Sequence, residues 1–291
     1  MIKNVQKLNL TLLNADFVAL NKNWNYKNVT STFYRIYYIG EGSGNIDDAA
    51  GSIKLEPGFL YLIPSFTTCN YHCTEYMSQY YITFVEESPD GASLFAANRK
   101  IFKIPARDQE AEAVKRICKL NPGRGLKGSH NPSVFEKHAA LQRYQELNQA
   151  MSAPALMETR GLLLQLMARF IASGTFNENE ETAINSKIAD AINFMLTNLQ
   201  SGVMVTELAK RACLHPDYFS RLFHENTGER PLAYLQLRRV ERARLLLTTT
   251  DLPVYEVARQ SGFESTSYFA RIFKNITGLT AGAYKRDNTI G

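Results

Sequence analysis

In the first third of the chain, hydrophobic and polar positions follow the pattern that is typical of short β-strands. Between residues 33 and 84, aromatic and branched side chains form short runs, and glycine, proline and other turn residues separate them. These runs cover residues 33–39, 53–55, 59–63 and 80–84. Several short strands with turns between them predict a small barrel or sandwich.

The hydrophobic period changes after residue 106, where apolar side chains recur every three or four positions. Helices are predicted over 108–120, 133–152 and 154–173, and the last has an apolar stripe from Leu156 to Phe170. This stripe serves either helix pairing in a dimer or simple covering of the barrel. The polar segment 174–183 that follows predicts a domain linker.

A helical pattern then occurs twice. The residue types of 208–214, 218–223 and 226–228 return, in the same order, in 257–263, 268–273 and 276–278. The offset is 49 residues before the internal turn and 50 after it. Helices are predicted over 184–199, 205–212, 216–226, 232–247, 254–261 and 265–275. Duplication of a helix–turn–helix unit explains this pattern and indicates DNA binding.

The helix predicted over 232–247 separates the two units. At 1.5 Å per residue it spans about 24 Å, which can set two recognition helices near the ~34 Å repeat of one DNA turn. Four arginines lie on its polar side, where each meets phosphate, an acidic neighbour or solvent: Arg238, Arg239, Arg242 and Arg244.

The second repeat has a specific pattern. From Val257 to Gly278 it reads V-A-x-x-x-G-F-x-S-x-S-Y-F-x-R-x-F-K-x-x-x-G. With the first repeat and the spacer, about 105 residues resemble the AraC/XylS family of bacterial transcription regulators. The resemblance implies base contacts from Asp217, Ser220, Arg221, Thr266, Ser267 and Arg271. It assigns contacts with the DNA backbone to Thr206, His215, Arg239, Tyr268 and Lys274.

The first repeat departs from the family pattern. Cys213 stands where Gly262 stands in the second repeat, and a turn with positive φ there costs roughly 1–2 kcal/mol. Asp217 occupies a base-reading position, where it either accepts a hydrogen bond from cytosine N4 or caps its helix. We expect the first unit to carry the more unusual specificity.

The N-terminal strands resemble a cupin through the motif L-x-P-G-x-x-x-L-I-P from Leu55 to Pro64. Enzymatic cupins follow this glycine with P-x-G-x2-H, whereas this chain has Phe66 and Cys69 at the glycine and histidine positions. The H-x-H half of the metal motif does not occur. A metal-dependent enzyme is therefore not expected, and no metal or cofactor is predicted.

The segment Cys69-Asn70-Tyr71-His72-Cys73 invites a comparison with zinc sites. In a strand, alternate residues face opposite sides, so the two cysteines point away from His72 and packing is the better interpretation. The aromatic residues between 24 and 84 either reflect β-propensity or line an interior that stacks on a sugar ring or an aromatic effector. The candidate effector ligands are Arg35, Tyr37 and His72.

The amino-acid composition bears on the expected cellular compartment and on the charge of the DNA-binding region. The net charge is +5, and residues 184–291 hold 14 basic and 10 acidic side chains, an excess that suits DNA phosphates. Four cysteines without a C-x-x-C pair suit a reducing cytoplasm. Neither a signal peptide nor an apolar run of membrane-spanning length is predicted, and so no membrane partner is expected.

Together these patterns predict an α+β chain. Residues 1–173 form a cupin-like effector-binding and dimerisation domain, with a β-barrel at about 5–105 and helices at about 108–173. The linker is 174–183, and 184–291 is an all-α AraC-type DNA-binding domain with two helix–turn–helix units joined by a long helix.

The function expected from this organisation is transcription regulation. The family resemblance implies that the protein is an activator. The expected partners are double-stranded DNA half-sites in consecutive major grooves, an unidentified small-molecule effector, a second copy of the chain, and RNA polymerase. The alternatives are a ligand-independent regulator whose barrel serves only dimerisation, and a cupin enzyme.

Overall fold

A computed structural model describes residues 8–87, 94–95, 99–125, 138–172 and 183–289. They divide into two compact bodies. The N-terminal body contains Leu8–Glu87 and Asn98–Asn177, and the main segment of the C-terminal body is Glu178–Thr289. The division falls inside the predicted linker, of which residues 174–182 lie outside the described residues.

The described strands of the N-terminal body form two antiparallel sheets. The first has the order β1-β8-β3-β6-β9, with β1 Asn9–Asn21, β3 Tyr34–Gly42, β6 Phe59–Ile63, β8 Tyr76–Glu87 and β9 Phe102–Pro105. The second has the order β2-β7-β4-β5, with β2 Asn25–Thr30, β4 Gly44–Asp48, β5 Gly51–Leu55 and β7 Thr68–His72.

The predicted cupin-like β-barrel is not closed. Among the described strands, no hydrogen-bonded ladder joins one sheet to the other, so the edge strands β1, β9, β2 and β5 stay separate. Inward side chains from both sheets fill the space between them, including Tyr37 and Tyr61 from the first and Ile46 and Tyr71 from the second. The architecture is therefore a sandwich, in which burial between faces replaces closure by hydrogen bonds.

The segment with two cysteines follows the predicted alternation. Cys69 and Cys73 are buried in the core, whereas His72 is exposed on the opposite face of β7. The three side chains therefore do not converge on one point.

Three helices pack on the N-terminal sandwich, close to the predicted bounds: α1 Asp108–Leu120, α2 His138–Gln149 and α3 Ala153–Ala172. All three contact β1, and α1 also contacts β8 and α3. An ion pair at 2.5 Å between buried Glu110 and half-buried Arg169 joins α1 to α3. The apolar side of α3 is buried at Leu163, Leu166, Met167 and Phe170, so this stripe covers the sheet.

The described C-terminal body is helical, as predicted. Its helices are α4 Ala183–Thr197, α5 Val205–Arg211, α6 Pro216–Thr227, α7 Pro231–Thr249, α8 Val254–Gln260, α9 Thr266–Thr277 and α10 Ala281–Thr289. They enclose two separate hydrophobic cores, one around Phe219 and Phe223 and one around Phe269 and Phe273. None of the described helices has the length and apolar character that crossing a lipid bilayer requires.

Candidate DNA-binding interface

Helix α6 separates an apolar face from a polar one. Phe219, Leu222 and Phe223 are buried in the first core, which leaves the other side of the helix outside the core. On that side Asp217 and Arg221 are exposed, together with His224, and Ser220 is half-buried. The spacing of apolar residues thus turns three of the predicted base-contacting residues outward on one recognition helix.

Helix α6 begins with a cap that also orders the start of this face. His215 is the N-cap residue, and its Nδ1 accepts a hydrogen bond from the Asp217 backbone N–H at 3.4 Å. Pro216 follows at the first helical position, where its missing N–H costs nothing. His215 is exposed.

Helix α9 repeats the arrangement. Phe269 and Phe273 are buried in the second core, while Thr266, Ser267 and Arg271 are exposed. Ser265 caps the helix, since its Oγ accepts a hydrogen bond from the Tyr268 backbone N–H at 3.3 Å.

Each recognition helix holds its arginine over a tyrosine one turn earlier. The guanidinium carbon of Arg221 lies 5.2 Å from the ring centroid of Tyr218, and that of Arg271 lies 5.3 Å from the ring of Tyr268. Such cation–π contacts restrict a long side chain that would otherwise be mobile. The Y-x-x-R spacing, which occurs in both repeats, is the sequence signal for this pair.

The two arginine–tyrosine pairs are anchored differently. Tyr268 is half-buried, and its hydroxyl is hydrogen-bonded to Gln236 of α7. Tyr218 is 40% exposed, and Arg221 also lies 3.9 Å from Glu225. Arg271 is thus the better-positioned of the two arginines.

The residues assigned to the DNA backbone fall into two groups. Thr206, in the first turn of α5, and Lys274, in the last turn of α9, are exposed and free to meet phosphate. Arg239, by contrast, is half-buried and donates to the carbonyl oxygens of Leu199 at 2.8 Å and Ser201 at 2.6 Å. Burial lowers the pKa of Arg239 below its usual value.

The other arginines of α7 also bind within the fold. Arg238 forms an ion pair with Glu241 at 2.8 Å, the acidic neighbour that the sequence analysis allowed for. Arg242 donates to the carbonyl oxygen of Gln260 at 2.8 Å, and Arg244 donates to the hydroxyl of Tyr284 at 3.1 Å. The positive charge of α7 therefore does not translate directly into a surface for DNA.

The two turns both contain a residue with positive φ, although the residue types differ. The φ angle is 55° at Cys213 and 87° at Gly262. In each turn the next residue closes the same hydrogen bond, from Leu214 N to Ala209 O at 2.9 Å and from Phe263 N to Ala258 O at 3.0 Å. Cys213 is exposed, whereas Gly262 is buried.

The candidate effector residues of the N-terminal body do not form one cluster. Arg35 is buried and donates to the hydroxyl of Tyr71 and to the carbonyl oxygen of Thr67, the latter at 3.3 Å. The hydroxyls of Tyr37 and Tyr71 lie 3.3 Å apart, and burial raises the pKa of both. His72 is exposed on the other face, so the structure brings together Arg35, Tyr37 and a tyrosine that the sequence analysis did not single out.

Comparison with known proteins agrees with this geometry. A family model described as a helix-turn-helix domain matches residues 208–287. The arabinose operon regulatory protein of Salmonella typhimurium is 33% identical over 125 residues, which are 43% of this chain and 44% of that protein. Its Escherichia coli counterpart is 30% identical over 125 residues, which are 43% and 42% of the two chains. The chain thus spans less than half the length of these relatives.

Solved structures with similar chains cover two ranges. The DNA-binding domain of AdpA, in complex with a target DNA, is 34% identical over 35% of this chain and 91% of that one, with a TM-score of 0.34. ToxT from Vibrio cholerae O395 is 12% identical over 98% of this chain and 100% of that one, with a TM-score of 0.46.

The C-terminal body is therefore a duplicated helix–turn–helix domain. Its sequence pattern, its two capped recognition helices and its relatives among arabinose operon regulators confirm the resemblance read from the sequence. The family model and these relatives cover only the C-terminal part of the chain, so the similarity to AraC-type regulators is established for that part.

The turn at Cys213 yields a stability prediction. Replacing Cys213 with glycine removes the cost of positive φ, although it adds freedom to the unfolded chain, so the net gain is roughly 0.5–1 kcal/mol. Amide hydrogen exchange of α5 and α6 should become slower in Cys213→Gly. The exchange of α8 and α9 is the internal control, and faster exchange in α5 and α6 would contradict the assignment of strain.

Proposed function

We propose that the chain is a transcription regulator that binds two DNA half-sites through α6 and α9 and responds to a small-molecule effector. The observation that carries this proposal is the pair of recognition helices, each with a buried aromatic face and an exposed polar face. The resemblance to the family favours an activator that works with RNA polymerase. In vitro transcription with the polymerase tests the sign of regulation.

The chemistry of the exposed residues supports reading of bases in the major groove. An arginine can donate two hydrogen bonds to guanine O6 and N7, so Arg221 and Arg271 favour guanine. Asp217 can accept from cytosine N4, whereas the serine and threonine hydroxyls are more permissive. The 19-residue helix α7 spans about 28 Å, so it suits half-sites about one DNA turn apart.

Selection of bound sequences from random DNA tests the DNA proposal. Arg221→Ala and Arg271→Ala should each relax the preference at one base position, in different half-sites, at a cost of about 1–3 kcal/mol. Electrophoretic mobility shifts on the selected site and on single-base variants measure these costs.

Arg116→Ala is the matched control, because it removes the same charge from α1, where Arg116 forms an exposed ion pair with Glu158 of α3. Its binding should equal that of the parent protein. Equal losses on selected and random DNA for both recognition-helix variants would rule out base reading by these arginines.

We also propose that the effector binds inside the N-terminal body, beside Arg35 and Tyr37. Support comes from their burial together with Tyr71, which places a guanidinium and two hydroxyls among apolar core residues. An effector that binds one conformation of this body more tightly than another would change the population of the two conformations, and with it the affinity for DNA. The competing proposal is a regulator without an effector.

A thermal-shift screen with sugars and aromatic acids tests the effector proposal, because a ligand that binds only the folded state raises the Tm. A stabilising compound should lose its effect in Tyr37→Phe and keep it in His72→Ala, since His72 lies on the opposite face. A compound equally effective in Tyr37→Phe would instead indicate another site, such as the cavity of about 170 Å³ lined in part by Leu10, Leu12, Met151, Leu156 and Arg160. No stabiliser at millimolar concentration would favour the regulator without an effector.

An exposed apolar face on helix α3 is the observation that favours a second copy of the chain as a partner. The outward side of this helix exposes Met157 by 74% and Leu164 by 43%, two turns apart on one face. Gly161 lies between them, and beyond its own helix a methyl group there would meet no atom of the described residues within 4 Å. We propose that this face pairs with its counterpart in a dimer.

Sedimentation equilibrium tests the dimer. Leu164→Glu should yield monomers, because it would bury a charge in the proposed interface. Gln165→Glu adds the same charge to the neighbouring exposed position and should leave the dimer unchanged. Dimers that persist in Leu164→Glu would move the interface elsewhere.

A further inference from the structure

Within the described part of the C-terminal body, helix α7 contributes side chains to both hydrophobic cores. Its first half supplies Tyr234 and Leu235 to the first core, and its second half supplies Val240, Ala243 and Leu247 to the second. The stretch between these halves, 236–239, is mostly polar: it contains Gln236, Arg238 and Arg239 and a single leucine. Apolar packing therefore holds each helix–turn–helix motif together but does not by itself orient one motif relative to the other.

Arg239 lies where α7 passes from the first core to the second, and it contacts both motifs. Its Nε and Nη2 donate to the carbonyl oxygens of Leu199 and Ser201, which follow the end of α4 in the first motif. Its guanidinium carbon lies 5.9 Å from the ring centroid of Phe263, which belongs to the second core. Carbonyl groups just beyond a helix C-terminus carry partial negative charge, so a cation is well matched to them.

Gly262 brings the turn of the second motif against the same carbonyl. A Cβ atom at this position would lie 2.0 Å from the oxygen of Leu199 and 2.8 Å from Nε of Arg239. No side chain fits in that space without displacing backbone. Gly262 is therefore required twice, once for its φ of 87° and once for this approach.

We infer that Leu199, Ser201, Arg239, Gly262 and Phe263 form an inter-motif junction that sets the orientation of α6 relative to α9. The spacing of half-sites that the protein accepts depends on this junction. Arg239 is then a positioning residue rather than a ligand of DNA phosphate. The inference rests on the proposed function, because it concerns how two DNA-reading helices are held.

The first motif offers an internal comparison. Cys213 occupies the turn that corresponds to Gly262, with the same sign of φ, yet its side chain is exposed. Positive φ alone thus tolerates a side chain in this fold. The glycine of the second turn is explained by the approach to Leu199, which the first turn does not share.

The experiment compares Arg239→Gln with Arg242→Gln. Arg242 is the matched control because it also donates to a backbone carbonyl, that of Gln260, but within the second motif. Affinity is measured for DNA from the selection that carries both half-sites, for DNA with one half-site scrambled, and for DNA with one or two base pairs inserted between the half-sites.

Loosening the junction should act only on the coupling between half-sites. Arg239→Gln should bind single half-sites like the parent protein, bind the two-site DNA roughly ten-fold more weakly, and tolerate inserted base pairs better. Its salt dependence should not change. Gly262→Ala should weaken the coupling in the same way, with Cys213→Ala as the control for the corresponding turn.

Two outcomes would overturn the inference. Equal weakening on single and double sites, with a salt slope reduced by about one, would make Arg239 a phosphate contact. If the coupling between half-sites is the same in Arg239→Gln as in Arg242→Gln, then α7 alone sets the orientation of α6 relative to α9. Far-ultraviolet circular dichroism of each variant establishes that the helices remain folded. Absence of sequence-specific binding by the parent protein would instead refute the proposed function.

Discussion

The C-terminal body depends on one helix that belongs to two cores. Helix α7 buries its first half with α4 and α6 and its second half with α8, α9 and α10. Each motif alone is a small cluster of helices with few buried side chains, and such clusters are only marginally stable. Sharing α7 lets both motifs bury an additional apolar face, and it leaves their relative orientation to the contacts made where the two halves of α7 meet.

This arrangement explains why the arginines of α7 lie inside the fold. Because α7 packs against two different cores, little of its surface is exposed to solvent. Arg238, Arg239 and Arg242 bind Glu241, the end of α4 and the end of α8, so each guanidinium satisfies acceptors that burial would otherwise leave without partners. Net charge counted along the sequence consequently overstates the charge that faces DNA.

The helices were predictable from sequence because their contacts are local. Apolar residues three and four positions apart, with Pro216 and Ser265 at the starts, determined α6 and α9 to within about two residues. Strand β1 was missed because its alternation breaks at a bulge between Leu12 and Asn14, and because Asn14 is buried against Tyr144. The choice between barrel and sandwich, and the carbonyl partners of Arg239, depend on pairings of residues distant in sequence, which no local pattern contains.

Two residues show that a departure from a family pattern need not change the backbone. Phe66 stands where the cupin motif has glycine, and Cys213 stands where the second repeat has glycine, yet their φ angles are 59° and 55°. Hydrogen bonds hold both segments, from Phe66 N to Ser31 O at 2.6 Å and from Leu214 N to Ala209 O at 2.9 Å. A strain of roughly 1–2 kcal/mol is small enough for such contacts to offset.

At Gly262 the neighbouring carbonyl leaves no space for a Cβ atom, so substitution there changes packing as well as backbone energy. Whether a glycine can be replaced is therefore decided by what lies beside it, and that is a tertiary property rather than a feature of the motif.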